Sequence, residues 1–128
     1  MRRQLAIIGL GLLLSGCGAP LLSLDVTVDG EITTGDEHNL DSNGYMFYYD
    51  LYRFQGTAGA SFEVEIESRE GDPVHFQIND LDLDLSSGSG TATAVFRTLE
   101  SRAYSCDVYL RSDYVGSGSS YRLTLRRP

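Results

Sequence analysis

The chain has 128 residues, enough for one small domain, and its 18 Asp and Glu against 10 basic residues give a formal net charge of −8. This acidic balance argues against binding to nucleic acid and against electrostatic docking on anionic lipid. Only two cysteines occur, Cys17 and Cys106, so no disulfide framework holds the domain together. The hydrophobic core must therefore carry the stability of the fold.

The chain begins with the pattern of an export signal. Arg2 and Arg3 precede an apolar stretch, residues 5–14, that is shorter than the about 20 apolar residues of a membrane-spanning helix. The small residues Ser15 and Gly16 then precede Cys17, as at a peptidase cleavage site. Leu14-Ser15-Gly16-Cys17 resembles the lipobox of bacterial lipoproteins. The resemblance implies cleavage before Cys17 and a lipid anchor on that residue, with two or more acyl chains for stable attachment.

The same segment sets the predicted domain organisation and location. Residues 1–16 are predicted to be the signal peptide, 17–21 a lipidated tether and 22–128 a β-sandwich domain. Cleavage would remove 16 of the 128 residues, leaving 112, and two arginines, lowering the formal charge from −8 to −10. Gly18 stands where enteric lipoproteins kept at the inner membrane tend to carry Asp, so we expect an outer-membrane protein facing the periplasm or the surface. The alternative is an ordinary secretory signal that ends near a cysteine.

After Cys17, apolar and polar residues alternate with period two, which is the pattern of β-strands, and no segment shows a convincing helical period. Asp29-Gly30 is predicted to be a turn and residues 31–43 a turn-rich segment. Eight strands are predicted, at about 22–28, 45–55, 62–67, 74–78, 81–85, 91–99, 104–110 and 121–125. Short strands with turn signals every 8–12 residues indicate an antiparallel sandwich or barrel with one wet side to each sheet.

Cys106 alternates with polar residues inside one predicted strand. It shares a strand face with Tyr104, Val108 and Leu110, and that face is apolar. The pattern favours a buried thiol that acts as a small hydrophobic side chain. Intermolecular pairing is the alternative.

Several strand motifs resemble the bacterial pre-peptidase C-terminal domain. The opening pattern is Asp50-Leu51-Tyr52-Arg53-Phe54, followed by Gly59 and a strand ending at Ser68, with Gly30-Glu31-Ile32 as the start. The closing pattern is carried by Tyr104, Val108, Gly116, Gly118, Tyr121, Leu123 and Leu125. The resemblance covers about residues 28–126 and implies a jelly-roll-like β-sandwich linked to secretion, to substrate or surface binding, and sometimes to calcium. Arg102-Ala103 replaces the glycine usual in that family.

The surplus of tyrosine is the main candidate for a binding surface. Exposed tyrosines favour recognition, and five of the eight would be able to form a platform for carbohydrate or protein: Tyr45, Tyr48, Tyr49, Tyr109 and Tyr114. Tyr48, Tyr109 and Tyr114 are the predicted binding residues. The alternative is that these tyrosines only fill strand faces.

The acidic clusters offer weaker candidates. Asp80, Asp82 and Asp84 are predicted to share one strand face, which needs solvent, arginines or a calcium ion to relieve repulsion. Glu63, Glu65 and Glu67 are predicted to form an exposed face opposite Arg122 and Arg126. His38 and His75 lack the spacing of a zinc site, and His75 is predicted to face solvent.

No catalytic set is evident, since the chain lacks a nucleophile elbow and a phosphate-binding loop. The sequence therefore predicts a lipid-anchored, non-catalytic binding module of the cell envelope with a protein or glycan partner and no required cofactor. The alternatives are a structural envelope lipoprotein and a hydrolase that uses surface carboxylates.

Overall fold

The computed structural model describes residues 19–33, 35–40, 44, 46–111 and 118–128. These residues contain nine β-strands: β1 (Thr27–Ile32), β2 (Glu37–Leu40), β3 (Met46–Gln55), β4 (Ser61–Glu70), β5 (His75–Ile78), β6 (Leu83–Ser86), β7 (Thr91–Arg97), β8 (Ala103–Arg111) and β9 (Ser119–Arg126). One sheet has the order β1-β9-β4-β7 and the other β2-β3-β8-β5-β6, and all pairings of these strands are antiparallel. The predicted all-β sandwich is confirmed. In the described ranges no helix has the length and apolarity to cross a bilayer.

The core lies between the two sheets and follows the period-two pattern of the sequence. Phe62, Val64 and Ile66 of β4 face inward with at most 2% exposure, and β8 and β9 contribute alternate residues in the same way. Phe54 of β3 stacks on Tyr104 and meets Phe62 edge-on at 5.7 Å between ring centroids. Full burial of each such side chain stabilises the fold by about 1.5–3 kcal/mol.

Cys106 lies in this core. It is 2% exposed, and burial raises the pKa of its thiol well above the ordinary value. The prediction of a buried thiol is confirmed. Because a buried thiol in apolar surroundings is inert, Cys106 serves packing and not chemistry.

A buried group of polar side chains joins the two sheets. The Tyr121 hydroxyl of β9 donates to Asp50 Oδ2 of β3 at 2.6 Å and lies 2.7 Å from the Tyr52 hydroxyl. We call Asp50, Tyr52 and Tyr121 the cross-sheet link. Burial, followed by the neighbouring Tyr52 and Asp50, raises the pKa of Tyr121 well above its ordinary value. All three residues belong to the motifs on which the sequence resemblance rests. Those motifs therefore include residues that join the two sheets.

The predicted turn at Asp29-Gly30 is wrong, because both residues lie within β1 opposite Arg122 and Tyr121. A Cβ at position 30 would stand 2.3 Å from the Tyr121 ring, so glycine is needed there for the ring to cover the strand. The actual turn precedes β1, at Asp25, which has a φ of 64°. Consequently 22–28 is not one strand.

Two further strand predictions need correction. The segment predicted to be turn-rich, residues 31–43, contains the end of β1 and all of β2, which brings the described strands to nine instead of eight. The predicted strand at 81–85 begins later, because Asn79–Leu81 form a short 3₁₀ turn and Asp82 takes a left-handed φ of 54°. β6 therefore starts at Leu83.

The glutamates of β4 form the predicted outward face. Arg126 of β9 bonds to Glu65 and approaches Glu63 Oε2 at 3.6 Å, which confirms the pairing expected for that arginine. Arg122 lies opposite Glu67 in register, while its Nε donates to Asp29 Oδ1 at 2.9 Å. These ion pairs lie on the side of the sandwich away from the site described next.

Candidate functional site

A shallow open hollow of about 520 Å³ lies on the outward face of the five-stranded sheet. Its apolar lining comes from Leu40, Phe47, Tyr49, Leu51 and Tyr109. Its polar lining comes from Asn39, Gln77, Asn79 and Asp107. We call this surface the outer-face hollow.

Strand alternation explains why these side chains meet. Tyr52 and Phe54 of β3 point into the core, so Phe47, Tyr49 and Leu51 point outward. On β8 the burial of Cys106 and Val108 likewise turns Asp107 and Tyr109 outward. Register then aligns them in rows across the sheet: Tyr49 with Tyr109 and His75, and Leu51 with Asp107 and Gln77.

Asp107 is the charged group of the hollow. Gln77 Nε2 donates to both of its carboxylate oxygens, at 3.1 and 3.2 Å. Burial raises the pKa of Asp107 to about 6, with the nearby Asp84 adding to the rise and the Gln77 hydrogen bond opposing it. The charged form is therefore poorly stabilised in the free protein.

Tyr109 lies at the centre of a second group of contacts. Its hydroxyl donates to Asp84 Oδ2 at 2.6 Å, and its ring stacks on His75 and meets Phe47 edge-on. His75 Nδ1 lies 3.6 Å from Asp84 Oδ1. Burial and the Asp84 carboxylate raise the pKa of Tyr109, so its hydroxyl stays protonated and donates. Together these contacts hold the ring in a fixed orientation.

The structure separates two of the three predicted binding tyrosines. Tyr109 lines the outer-face hollow, whereas Tyr48 lies on the opposite face of the same sheet, packed against the core and 5.5 Å from the His38 ring. Tyr114 and Tyr45 lie outside the described residues. Of the five tyrosines of the predicted platform, Tyr49 and Tyr109 line the outer-face hollow together.

The three aspartates predicted to share a strand face do not share one. Asp80 lies in the 3₁₀ turn and pairs with Arg102 at 3.1 Å, Asp82 follows in the left-handed turn, and Asp84 alone lies on β6. The turn breaks the alternation that would have aligned them. Over the described ranges, no three His, Cys, Asp or Glu side chains are grouped so as to hold a metal ion.

Sequence reasoning missed Phe47, Asp107 and Gln77 as site residues. A signal for Asp107 was present, because it alternates with Cys106 and Val108, which lie on the strand face predicted to be buried. What the sequence does not reveal is that β8 lies between β3 and β5, which brings Asp107 against Gln77. That order is a long-range property of the fold.

The chain enters the sandwich beside this sheet. Leu22 N donates to the Arg53 carbonyl at 2.7 Å, and Arg53 N donates to the Pro20 carbonyl at 2.9 Å. Arg53 Nε also donates to the Ala19 carbonyl at 2.9 Å. We call residues 19–22 the strap, which runs parallel to β3 at Arg53, beyond the residues of β3 that pair with β2. The lipobox, Leu14 to Cys17, lies outside the described residues.

Two antiparallel sheets around one core, with motif residues linking them, define a β-sandwich like that of the pre-peptidase C-terminal domain. A solved structure with this fold is the pre-peptidase C-terminal domain of collagenase from Bacillus anthracis, with a TM-score of 0.54 and 15% sequence identity. The match covers 85% of this chain and 95% of that chain. At this identity the likeness establishes the fold alone. No protein-family model matches the chain, and no curated protein matches it.

Proposed function

We propose that this protein is a lipid-anchored binding module of the cell envelope, without catalytic activity, whose outer-face hollow binds a protein or glycan partner. The observation that carries the proposal is the grouping of Phe47, Tyr49 and Tyr109 with amide and carboxylate side chains on a solvent-facing surface. The core does not need these rings there. Rings supply rigid apolar area and polar side chains supply orientation, which is the usual chemistry of recognition sites.

The anchor is proposed from the pattern that ends at Cys17. The strap supports it, because the Ala19 carbonyl is held by Arg53 and Cys17 is only two residues away. Two residues span at most about 7 Å, so a lipid on Cys17 would keep the domain close to the bilayer. Leu51 to Phe47 extend along the same strand over about 13 Å. The hollow would then lie beside the membrane surface.

A hydrolase is the less favoured enzyme alternative. Glycoside hydrolysis uses a pair of carboxylates about 5–9.5 Å apart, flanking the scissile bond. Among the described residues that line the hollow, one carboxylate occurs, that of Asp107. Glu63 and Glu65 of β4, on the other sheet, are engaged with Arg126. Binding is therefore the function that this arrangement supports best.

The anchor is tested with the full-length protein and its Cys17→Ser variant. We expect the natural protein to incorporate labelled palmitate and to sediment with membranes, and the variant to do neither. A variant that remains membrane-bound and uncleaved would count against the lipobox.

The binding role is tested by crosslinked envelope pulldown with natural protein, Tyr109→Ala and a matched control, Val95→Ala. Val95 is 63% exposed on β7 of the other sheet. We expect a specific partner whose recovery falls at least about tenfold in Tyr109→Ala, equivalent to about 1.4 kcal/mol, and is unchanged in the control. Recovery that is equal in all three would favour a structural envelope lipoprotein.

A further inference from the structure

Among the described residues that line the outer-face hollow, the charge is negative. Asp107 lies in its lining, and among the ion pairs of the described residues none includes Asp107. Its hydrogen-bond donor is the neutral amide of Gln77. A half-buried carboxylate that has given up part of its hydration gains more than an exposed one from an incoming cation.

Two basic side chains that the structure describes on this face, those of Arg53 and His75, are directed elsewhere. Arg53 projects on this side of β3, but its Nε donates to the Ala19 carbonyl of the strap. His75, in register with Tyr109, has its Nδ1 3.6 Å from Asp84 Oδ1, and its ring is stacked on Tyr109. Asp84 adds a second negative charge, strong enough to raise the pKa of Asp107. These neighbours leave the hollow favourable to a cation.

The aromatic lining suits the same kind of ligand. Phe47 and Tyr109 meet edge-on at 5.5 Å, and Tyr49 lies opposite Tyr109 in register. The faces of such rings carry negative potential and attract ammonium and guanidinium groups. A guanidinium can lie flat on a ring while it donates two hydrogen bonds to a carboxylate.

We propose that the outer-face hollow binds the cationic side chain of arginine or lysine in a basic segment of a partner protein, paired with Asp107 and packed on the rings. The inference rests on the proposed binding function and narrows its ligand. The formal charge of −8 complements a basic segment and speeds the encounter with one. Phe47 and Tyr109 supply the apolar contact that holds the side chain's methylene groups.

The test uses the full-length protein in detergent micelles and fluorescence anisotropy at physiological salt. The probes are a labelled arginine-glycine octapeptide, the same peptide with lysine, and the same peptide with citrulline, which keeps the shape of arginine without its charge. A labelled neutral oligosaccharide is the fourth probe. We expect the arginine and lysine peptides to bind and the citrulline peptide to bind at least tenfold more weakly.

Two aspartate variants separate the site from general charge attraction. Asp107→Asn removes the carboxylate of the hollow, and Asp72→Asn makes the same change at the exposed turn after β4. We expect Asp107→Asn to lower the affinity for the arginine peptide at least tenfold and Asp72→Asn to change that affinity less than twofold. Phe47→Leu, checked for folding by circular dichroism, should lower the affinity for the arginine peptide three- to tenfold and leave the affinity for the citrulline peptide unchanged.

Equal losses in the two aspartate variants, or equal binding of the arginine and citrulline peptides, would overturn the inference. Binding of the oligosaccharide alone, lost in Tyr109→Ala, would also overturn it while sustaining the binding function and assigning the hollow to a glycan. Failure of every probe, with envelope capture still dependent on Tyr109, again removes the cationic ligand and leaves the proposed function standing.

Discussion

Removing the Tyr121 hydroxyl tests the cross-sheet link. Tyr121→Phe deletes the donor to Asp50 and the contact with Tyr52, at a position that is 1% exposed, where water cannot easily replace them. The hydrogen bond to a carboxylate contributes about 1.5–3 kcal/mol and the one between hydroxyls about 1 kcal/mol. We expect the free energy of unfolding to fall by roughly 2–4 kcal/mol. For a domain of this size the melting temperature would fall by roughly 10–20 °C.

The assay is urea and thermal unfolding of the full-length protein, followed by circular dichroism. Tyr52→Phe is the matched variant, because it removes one hydroxyl and leaves the Tyr121 bond to Asp50. We expect it to cost about 0.5–1.5 kcal/mol. The double variant should cost less than the sum of the single ones, since both hydroxyls share one bond. A loss below about 1 kcal/mol in Tyr121→Phe, or an equal loss in Tyr52→Phe, would refute this reasoning.

Three further predictions concern single positions. Gly71→Ala should lower the free energy of unfolding by at least about 2 kcal/mol, because φ is +86° and the new Cβ would lie 2.4 Å from a serine hydroxyl oxygen of β9. Gly59→Ala is the matched control, because φ is +78° but the space around the new Cβ is open, and it should cost only about 1 kcal/mol. Urea melts measure both values. The Cys106 thiol should resist a thiol reagent in the native protein and react at the unfolding rate, so rapid native labelling would contradict its burial. Asp107 has a folded pKa of about 6, raised from its unfolded value near 4, so its ionisation destabilises the fold and stability falls as the pH rises between those values. After allowance for screening this fall is on the order of 1–2 kcal/mol, and pH-dependent melts of Asp107→Asn should lack it; an unchanged pH profile would contradict the shifted pKa.

The sheets were predictable where one face of a strand is buried, as in β4, where Phe62, Val64 and Ile66 alternate with glutamates. β2 could not be predicted in this way, because Glu37 to Leu40 lie at a sheet edge and contribute little apolar area. Hydrogen bonds to β3 hold this strand in place instead. Asp29-Gly30 has the composition of a hairpin turn. Only the close approach of Tyr121 from the neighbouring strand explains why glycine stands there.

The candidate site was predictable in part for a similar reason. Alternation placed Tyr109 on the outward face of its strand, and the structure places it in the hollow. Alternation did not place Tyr48 correctly, because a strand with aromatic residues on both faces gives no local signal of which face is buried. The grouping of Asp107 with Gln77 depends on the order of three strands from distant parts of the chain. No pattern within a short window contains that information.

The strap has a mechanical consequence. If the chain is pulled through the anchor proposed at Cys17, the force enters the domain at Ala19, whose carbonyl is bonded to Arg53. Because the strap runs parallel to β3, a pull along that strand loads its hydrogen bonds to Arg53 together, in shear, instead of opening them one at a time. β3 also pairs with β2 and β8, so the load spreads into the sheet. A load applied through such an anchor would therefore reach the sandwich at the strand that carries its hollow.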